Sequence, residues 1–171
     1  MWWRLPRADF LRNRGEENRK ALKKIVESGK IPGIIAYVDS EPIGWCAVGP
    51  RNEYPALERS RLLKKVDDRT VWSIVCFFVA KRFRHKGMTV KLLQSAIRYV
   101  EEKGGGIVEG YPKDTVSKPA PDPFVFTGIA SSFQRVGFVE VARRSETRPI
   151  MRYTITQECK EIDRPLKEGN S

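Results

Sequence analysis

Four Lys or Arg residues and the chain's single histidine, His85, are packed into Lys81-Arg-Phe-Arg-His-Lys-Gly87, and only one glycine follows them. The segment stands between an apolar run, VWSIVCFFVA at 71–80, and an amphipathic pattern with Leu92, Leu93, Ala96, Ile97 and Val100 on one face. A buried strand, a basic loop and a helix that starts at a glycine form an anion cradle. The first amides of a helix point outward without partners, the macrodipole adds positive charge, and the glycine lets backbone approach the ligand. A pyrophosphate is the natural guest. GxxxxGK[ST] and GxGxxG are both absent, so neither a nucleotide-hydrolase loop nor a dinucleotide fingerprint accounts for the segment.

Other groups capable of chemistry are sparse. Cys46, Cys76 and Cys159 are odd in number, widely spaced and without a CxxC pair, which indicates neither a disulfide framework nor a zinc knuckle. One histidine excludes His-rich metal sites, so no metal is expected. His85 reads first as a loop residue that contributes its amide. Cys76, inside the apolar run, reads as core. Trp45 reads as core or pocket wall. Glu109 is the candidate base for a proton on an attacking group, acting directly or through water. Its competing reading is a salt-bridged strand carboxylate.

The elements that must position these groups follow from periodicity. Helical spacing over 6–30, interrupted near Gly15 and stopped near Gly29, comes after an aromatic start that reads as a short strand. The β-rich runs 33–38 and 43–48, separated by Asp39-Ser-Glu-Pro42, predict a hairpin. Residues 71–80 predict a central strand buried on both faces, and 107–111 predict a strand parallel to it through a right-handed crossover. The proline-rich stretch 112–123 predicts a loop. A helix near 129–136 and strands at 137–142 and 149–155 complete the pattern. At 171 residues, with 40% hydrophobic and 31% charged residues, the composition is that of one soluble globular domain over 1–156 with a charged tail at 157–171. The start MWWRLPRADF has no secretory h-region, and the thiols fit a cytoplasmic setting.

The motif Phe77-Phe-Val-Ala-Lys-Arg-Phe-Arg-His-Lys-Gly-Met-Thr89 resembles the acyl-coenzyme A motif of the GNAT superfamily of N-acetyltransferases. That motif is Arg/Gln-x-x-Gly-x-Gly/Ala after a central strand, and Arg84, Gly87 and Thr89 stand at its defining positions. The order of elements is similar from about residue 3 to 155, ending in a Gly137-Phe138 pair before the last hairpin. VEGYP at 108–112 and the proline-rich stretch resemble a bacterial branch of that superfamily. The resemblance implies an α/β (α+β) fold: a mixed, mostly antiparallel sheet of six to seven strands flanked by helices, with a parallel pair at the motif. It implies acetyl-CoA as cosubstrate, pantetheine held by backbone of Phe77, Phe78 and Val79, and pyrophosphate held by Arg84 and the amides of His85, Lys86, Gly87, Met88 and Thr89.

Two departures from the family pattern stand out. Thr89 takes the place of a small Gly or Ala, adding bulk and a hydroxyl. Phe133 stands four residues before Gly137, where many members carry a tyrosine that protonates the departing thiolate. Phenylalanine has no proton to give, so Ser131, Ser132, Tyr111 or water is left to do so. The expected activity is direct attack of a primary amine, on a small molecule or a protein, in a ternary complex. The alternative is an acyl-CoA-binding module or sensor with little turnover.

Lys plus Arg exceeds Asp plus Glu by 32 − 21 = 11. Residues 81–100 hold six cations against no acids, and residues 1–30 hold nine against four. Over half the excess therefore sits where a phosphorylated cofactor would need it. Nucleic acid is disfavoured, because no RNA- or DNA-binding signature interleaves aromatic with basic residues. No membrane partner is expected, and a homodimer is left open.

Overall fold

In the computed structural model, which describes residues 1–115 and 125–156, helices α1 (Arg7–Arg12) and α2 (Glu16–Glu27) lead into strands β1 (Ile34–Val38) and β2 (Glu41–Pro50). A short helix α3 (Pro55–Glu58), strand β3 (Trp72–Val79), helix α4 (Met88–Glu102) and strand β4 (Ile107–Gly110) follow. Helix α5 (Ala130–Gln134) and strands β5 (Val139–Arg143) and β6 (Pro149–Thr154) end the described chain. The tail at 157–171 and most of the proline-rich stretch lie outside the described residues. Residues 112–115 are included, and Lys113 bridges Ile129 in parallel.

The strands form one six-stranded sheet in the order β1-β2-β3-β4-β6-β5, antiparallel throughout except for the β3–β4 pair. Short turns join β1 to β2 and β5 to β6, whereas the parallel neighbour β4 is reached through a crossover, α4. Leu92, Leu93, Ala96, Ile97 and Val100 of α4 pack on Cys46, Val48, Ile74 and Val108 of the sheet. The other face carries a second cluster of Tyr54, Leu57, Leu63, Val75, Tyr111 and Ile150.

Two local expectations are corrected. Residues 1–5 form a turn rather than a short strand, with the Arg4 and Leu5 amides on the Met1 carbonyl at 2.9 and 3.1 Å. Trp2 packs edge-on against Phe10, 5.2 Å between centroids, while Trp3 packs on the cluster that includes Val75, Tyr111 and Ile150, so the start of the chain covers the sheet without joining its ladder. In addition, β3 is not buried on both faces throughout, because Phe78 is 57% exposed.

That exposure follows from how β3 is paired. Ala47 and Val48 of β2 face Cys76 and Ile74, which leaves Val75 as an extra residue in a bulge. Ile74 and Phe77 therefore both reach the α4 side although they are three apart, while Val75 enters the opposite cluster. Pairing with β4 ends at Ile74↔Gly110. Past that point β3 continues to Val79 without β4 beside it, and the sheet opens.

Candidate acyl-cofactor cleft

The opening is a cleft of about 490 Å³, within the range of small-molecule and cofactor sites. Its walls include Phe77, Phe78 and Val79 of β3, then Arg84, His85, Gly87, Met88 and Thr89 of the basic loop and α4, and Ser132 and Arg135 across from them. The structure thus gathers most of the sequence-selected cofactor residues around one space. Lys86 does not line it; its ammonium lies over the Phe83 ring, 5.9 Å from the centroid.

At the loop end, His85 and Gly87 have φ of 59° and 73°, the left-handed region, so the chain curls just before α4 begins. Gly87 is the N-cap and no side chain caps the helix. Its carbonyl accepts from the Val90 and Lys91 amides at 3.0 and 3.2 Å. The Met88 and Thr89 amides precede the first intrahelical bonds, which leaves them without helical acceptors at the edge of the cleft. Arg84 Nε donates to the Val79 carbonyl at 3.1 Å, fastening the loop to β3. Arg135 had no signal in the sequence, lying just past a five-residue helix whose placement against α4 is tertiary; its guanidinium has no ion pair among the described residues.

At the inner end, the Phe77 amide donates to the Phe126 carbonyl at 2.6 Å. The chain itself therefore takes one of the backbone donors expected to hold pantetheine. Strand alternation turns the Val79 amide to the same side as that of Phe77. Ser132 is the candidate hydroxyl that reaches the cleft wall, whereas Ser131 is exposed outside it. Phe133 is fully buried beneath the wall, edge-on to Phe77 and Phe138 at 6.1 and 4.9 Å. It stands against Gly110, where any Cβ would lie 2.1 Å from Phe133 Cε1. The glycine of VEGYP is thus required by a close approach rather than by chemistry.

Glu109 and Tyr111 are not brought into the cleft. Both are fully buried. Glu109 Oε1 accepts from Arg51 Nη1 at 2.8 Å and the Tyr111 hydroxyl at 2.6 Å, and Oε2 accepts from Arg152 Nε at 2.7 Å. Arg152 stands directly across the β4–β6 ladder from Glu109. Arg51 also holds Glu58 and the Leu63 carbonyl, and Ser73 Oγ lies 2.8 Å from the Tyr111 hydroxyl. Burial, then the Glu109 charge, pushes the Tyr111 phenol well above its usual range. Sequence periodicity gave Glu109 a strand; its guanidinium partners come from residues 58 and 43 positions away.

The same network ends in Asp67, which receives both Arg152 terminal nitrogens, at 2.7 and 3.2 Å. Hydrogen bonds from Arg152, then Arg69, hold the Asp67 carboxyl well below the usual carboxylate range. A lowered folded-state value contributes stability above the unfolded value of about 3.9 and loses it as pH falls toward the folded one. Asp67→Asn is therefore expected to melt at a lower temperature than wild type at pH 7, with the two converging below pH about 4. Melting curves across pH check this, and a constant gap would contradict it.

Among the described residues no group of His, Cys, Asp or Glu could hold a metal ion, and no helix is long and apolar enough to cross a membrane. No curated protein matches the sequence significantly. Solved structures share its fold. An N-acetyltransferase, PaiA of Thermoplasma acidophilum in complex with coenzyme A, superposes with a TM-score of 0.52 at 15% identity, over 86% of this chain and 77% of its own. YncA of Salmonella typhimurium with acetyl-CoA gives 0.54 at 14% over 83% and 75%. A GNAT-family acetyltransferase of Streptococcus agalactiae gives 0.53 at 13% over 87% and 79%. The sequence pattern of the Acetyltransferase (GNAT) family matches residues 1–113, through the cradle, α4 and β4. This chain belongs to the GNAT acetyltransferase family.

Proposed function

We propose that the chain transfers the acetyl group of acetyl-CoA to a primary amine by direct attack in a ternary complex. The observation that carries this reading is the cleft: a stretch of β3 without β4 beside it that leads to the open amides of Met88 and Thr89. These residues fit an extended anionic thioester, with a polar backbone edge for its arm and a glycine-capped helix with nearby cations for its phosphates. Bound there, acetyl-CoA would supply an already activated acyl group.

The protein's contribution is then alignment and polarisation. The Val79 amide and the Arg84–Val79 bond set the edge along β3. Arg135 faces the loop from across the cleft. The amine nitrogen forms the new C–N bond, the C–S bond breaks with its electron pair leaving on sulfur, and the amine proton passes to water. Ser132 donates a hydrogen bond to the departing thiolate and keeps its proton, and the thiolate takes up a proton from solvent. Glu109 and Tyr111 hold β4 and β6 in register at the point where the sheet opens and exchange no proton with the reactants.

Saturating acetyl-CoA is expected to raise the melting temperature, since ligand at 100 times its Kd adds about 2.7 kcal/mol. Absence of both that rise and a calorimetric binding heat would overturn the reading. Ser132→Ala is expected to lower kcat about 10-fold with the KM for acetyl-CoA little changed, because a thiolate needs only modest help to leave. A second reading, a binding module with little turnover, is favoured by Phe133 and by the Phe126 carbonyl on the Phe77 amide. Binding of acetyl-CoA with no thiol release across a panel of amines would select it.

A further inference from the structure

Beside the inner end of the cleft stands a cation whose charge nothing in the described structure balances. Arg148, just before β6, donates from Nη1 to Thr127 Oγ1 at 2.9 Å and to the Tyr111 carbonyl at 3.4 Å, both neutral acceptors. Among the described residues it forms no ion pair, and its Nε and Nη2 donate to none. It is half-buried, and desolvation pulls its guanidinium below the usual arginine range. The other enclosed arginines differ: Arg51 is neutralised by Glu58 and Glu109, Arg152 by Glu109 and Asp67.

A second cation adjoins it. Lys113 Nζ donates to Thr147 Oγ1 at 2.8 Å, and Lys113 forms no ion pair among the described residues. The next residue, Asp114, pairs with Arg143 at 3.0 Å. Residues 111–113 and 147–148 are both braced on 127–128, since the Lys113 amide donates to the Gly128 carbonyl at 2.8 Å and Arg148 holds Thr127. Thr127 is fully buried between Phe126 and Gly128, which are cleft wall. Arg148 is therefore fastened to the segment that supplies the cleft wall, next to the space a second substrate would have to reach if the cofactor fills the cleft.

A partly desolvated guanidinium without a counter-charge is costly, and the cost is offset when a ligand supplies the anion. Nε and Nη2 form the fork that grips a carboxylate with two parallel bonds. We propose that Arg148, assisted by Lys113, binds a carboxylate of the acceptor, so that the substrate class is a small primary amine carrying a carboxylate, an amino-acid-like molecule. This rests on the acetyl-transfer reading above.

The test uses glycine, β-alanine and 4-aminobutyrate, each against the alkylamine of equal carbon count, with saturating acetyl-CoA and thiol release as the readout. At least one amino acid is expected to exceed its alkylamine about 10- to 100-fold in kcat/KM, the gain lying in KM, as a charge-assisted bidentate pair would give. Arg148→Gln should erase that preference by lowering the kcat/KM of the amino acid far more than that of its alkylamine, with Arg148→Lys intermediate. Equal rates for each pair, a preference that survives Arg148→Gln, or an equal loss for both members would overturn the proposal. If no amine in the panel reacts, melting of the CoA-loaded protein decides. A rise with an amino acid in wild type but not in Arg148→Gln supports the site, and no rise overturns it. Acetylation of peptide amines alone, with no response to the amino acids, also overturns it. Failure of acetyl-CoA to stabilise wild type is a separate result that removes the acetyl-transfer reading itself.

Discussion

Replacing Glu109 by alanine is expected to lower the unfolding free energy by about 3–5 kcal/mol, among the largest costs a single substitution can impose. The carboxylate is fully buried and joins Arg51 Nη1 at 2.8 Å to Arg152 Nε at 2.7 Å. Its removal leaves two enclosed guanidiniums facing each other without the charge that held them. For a chain of this size, about 3–5 kcal/mol corresponds to a fall in melting temperature of roughly 6–20 °C. Glu109→Gln keeps the shape but turns amide hydrogens toward one guanidinium, so it too should melt early. Urea denaturation measures the cost directly. The informative comparison is with activity below the melting range: Glu109→Gln should keep the pH profile of kcat/KM and the affinity for acetyl-CoA. If it instead melts like wild type while kcat falls 100-fold or more, Glu109 is a catalytic base after all and its structural role is overturned.

Gly87→Asp is expected to weaken acetyl-CoA binding by about 100-fold or more, through like-charge repulsion of several kcal/mol at the phosphates. Stability should fall only modestly, by about 1 kcal/mol, because a φ of 73° is costly for a residue with a side chain. A Cβ at Gly87 would meet nothing within 4 Å, and aspartate is among the residues that tolerate the left-handed conformation. The substitution thus places a negative charge at the open helix N-terminus without disturbing the core. Calorimetric titration with acetyl-CoA and a melting curve separate the two effects. Unchanged affinity in a folded variant would show that phosphate is bound elsewhere and would sink the cradle as the cofactor site.

The contrast between these two residues shows where the sequence was legible. The cradle is local. Strand, basic loop, glycine and helix are consecutive, and their chemistry is backbone amides at a helix start, which any reader of the chain can place. Arg84, His85, Gly87, Met88 and Thr89 accordingly line the cleft, and Phe77 to Val79 run along it. Glu109 stayed open between a base and a salt-bridged carboxylate for the opposite reason. A lone acid on a strand next to the motif has no visible partner until Arg51 and Arg152 arrive from distant segments. Arg135 and the 125–128 wall went unnoticed because, although the sequence predicts a helix near 129–136, its approach to the cleft depends on packing between distant segments.

What the sequence alone determined is the order of elements from α1 onward, the single crossover that makes β3 and β4 parallel, and the succession of strand, basic loop, glycine and helix after β3. Each depends on periodicity or on neighbours within a few residues. Only tertiary structure decided where the sheet opens, because that depends on one extra residue in β3, Val75, and on where pairing to β4 stops. It also decided which charges are spent and which are available. Arg51 and Arg152 are enclosed with carboxylates, whereas Arg148 is enclosed with a hydroxyl and a carbonyl. In the sequence these are three arginines of one kind. Coulomb energy depends on distance and burial rather than on spacing along the chain, so the fold alone distinguishes a structural cation from one that awaits a ligand.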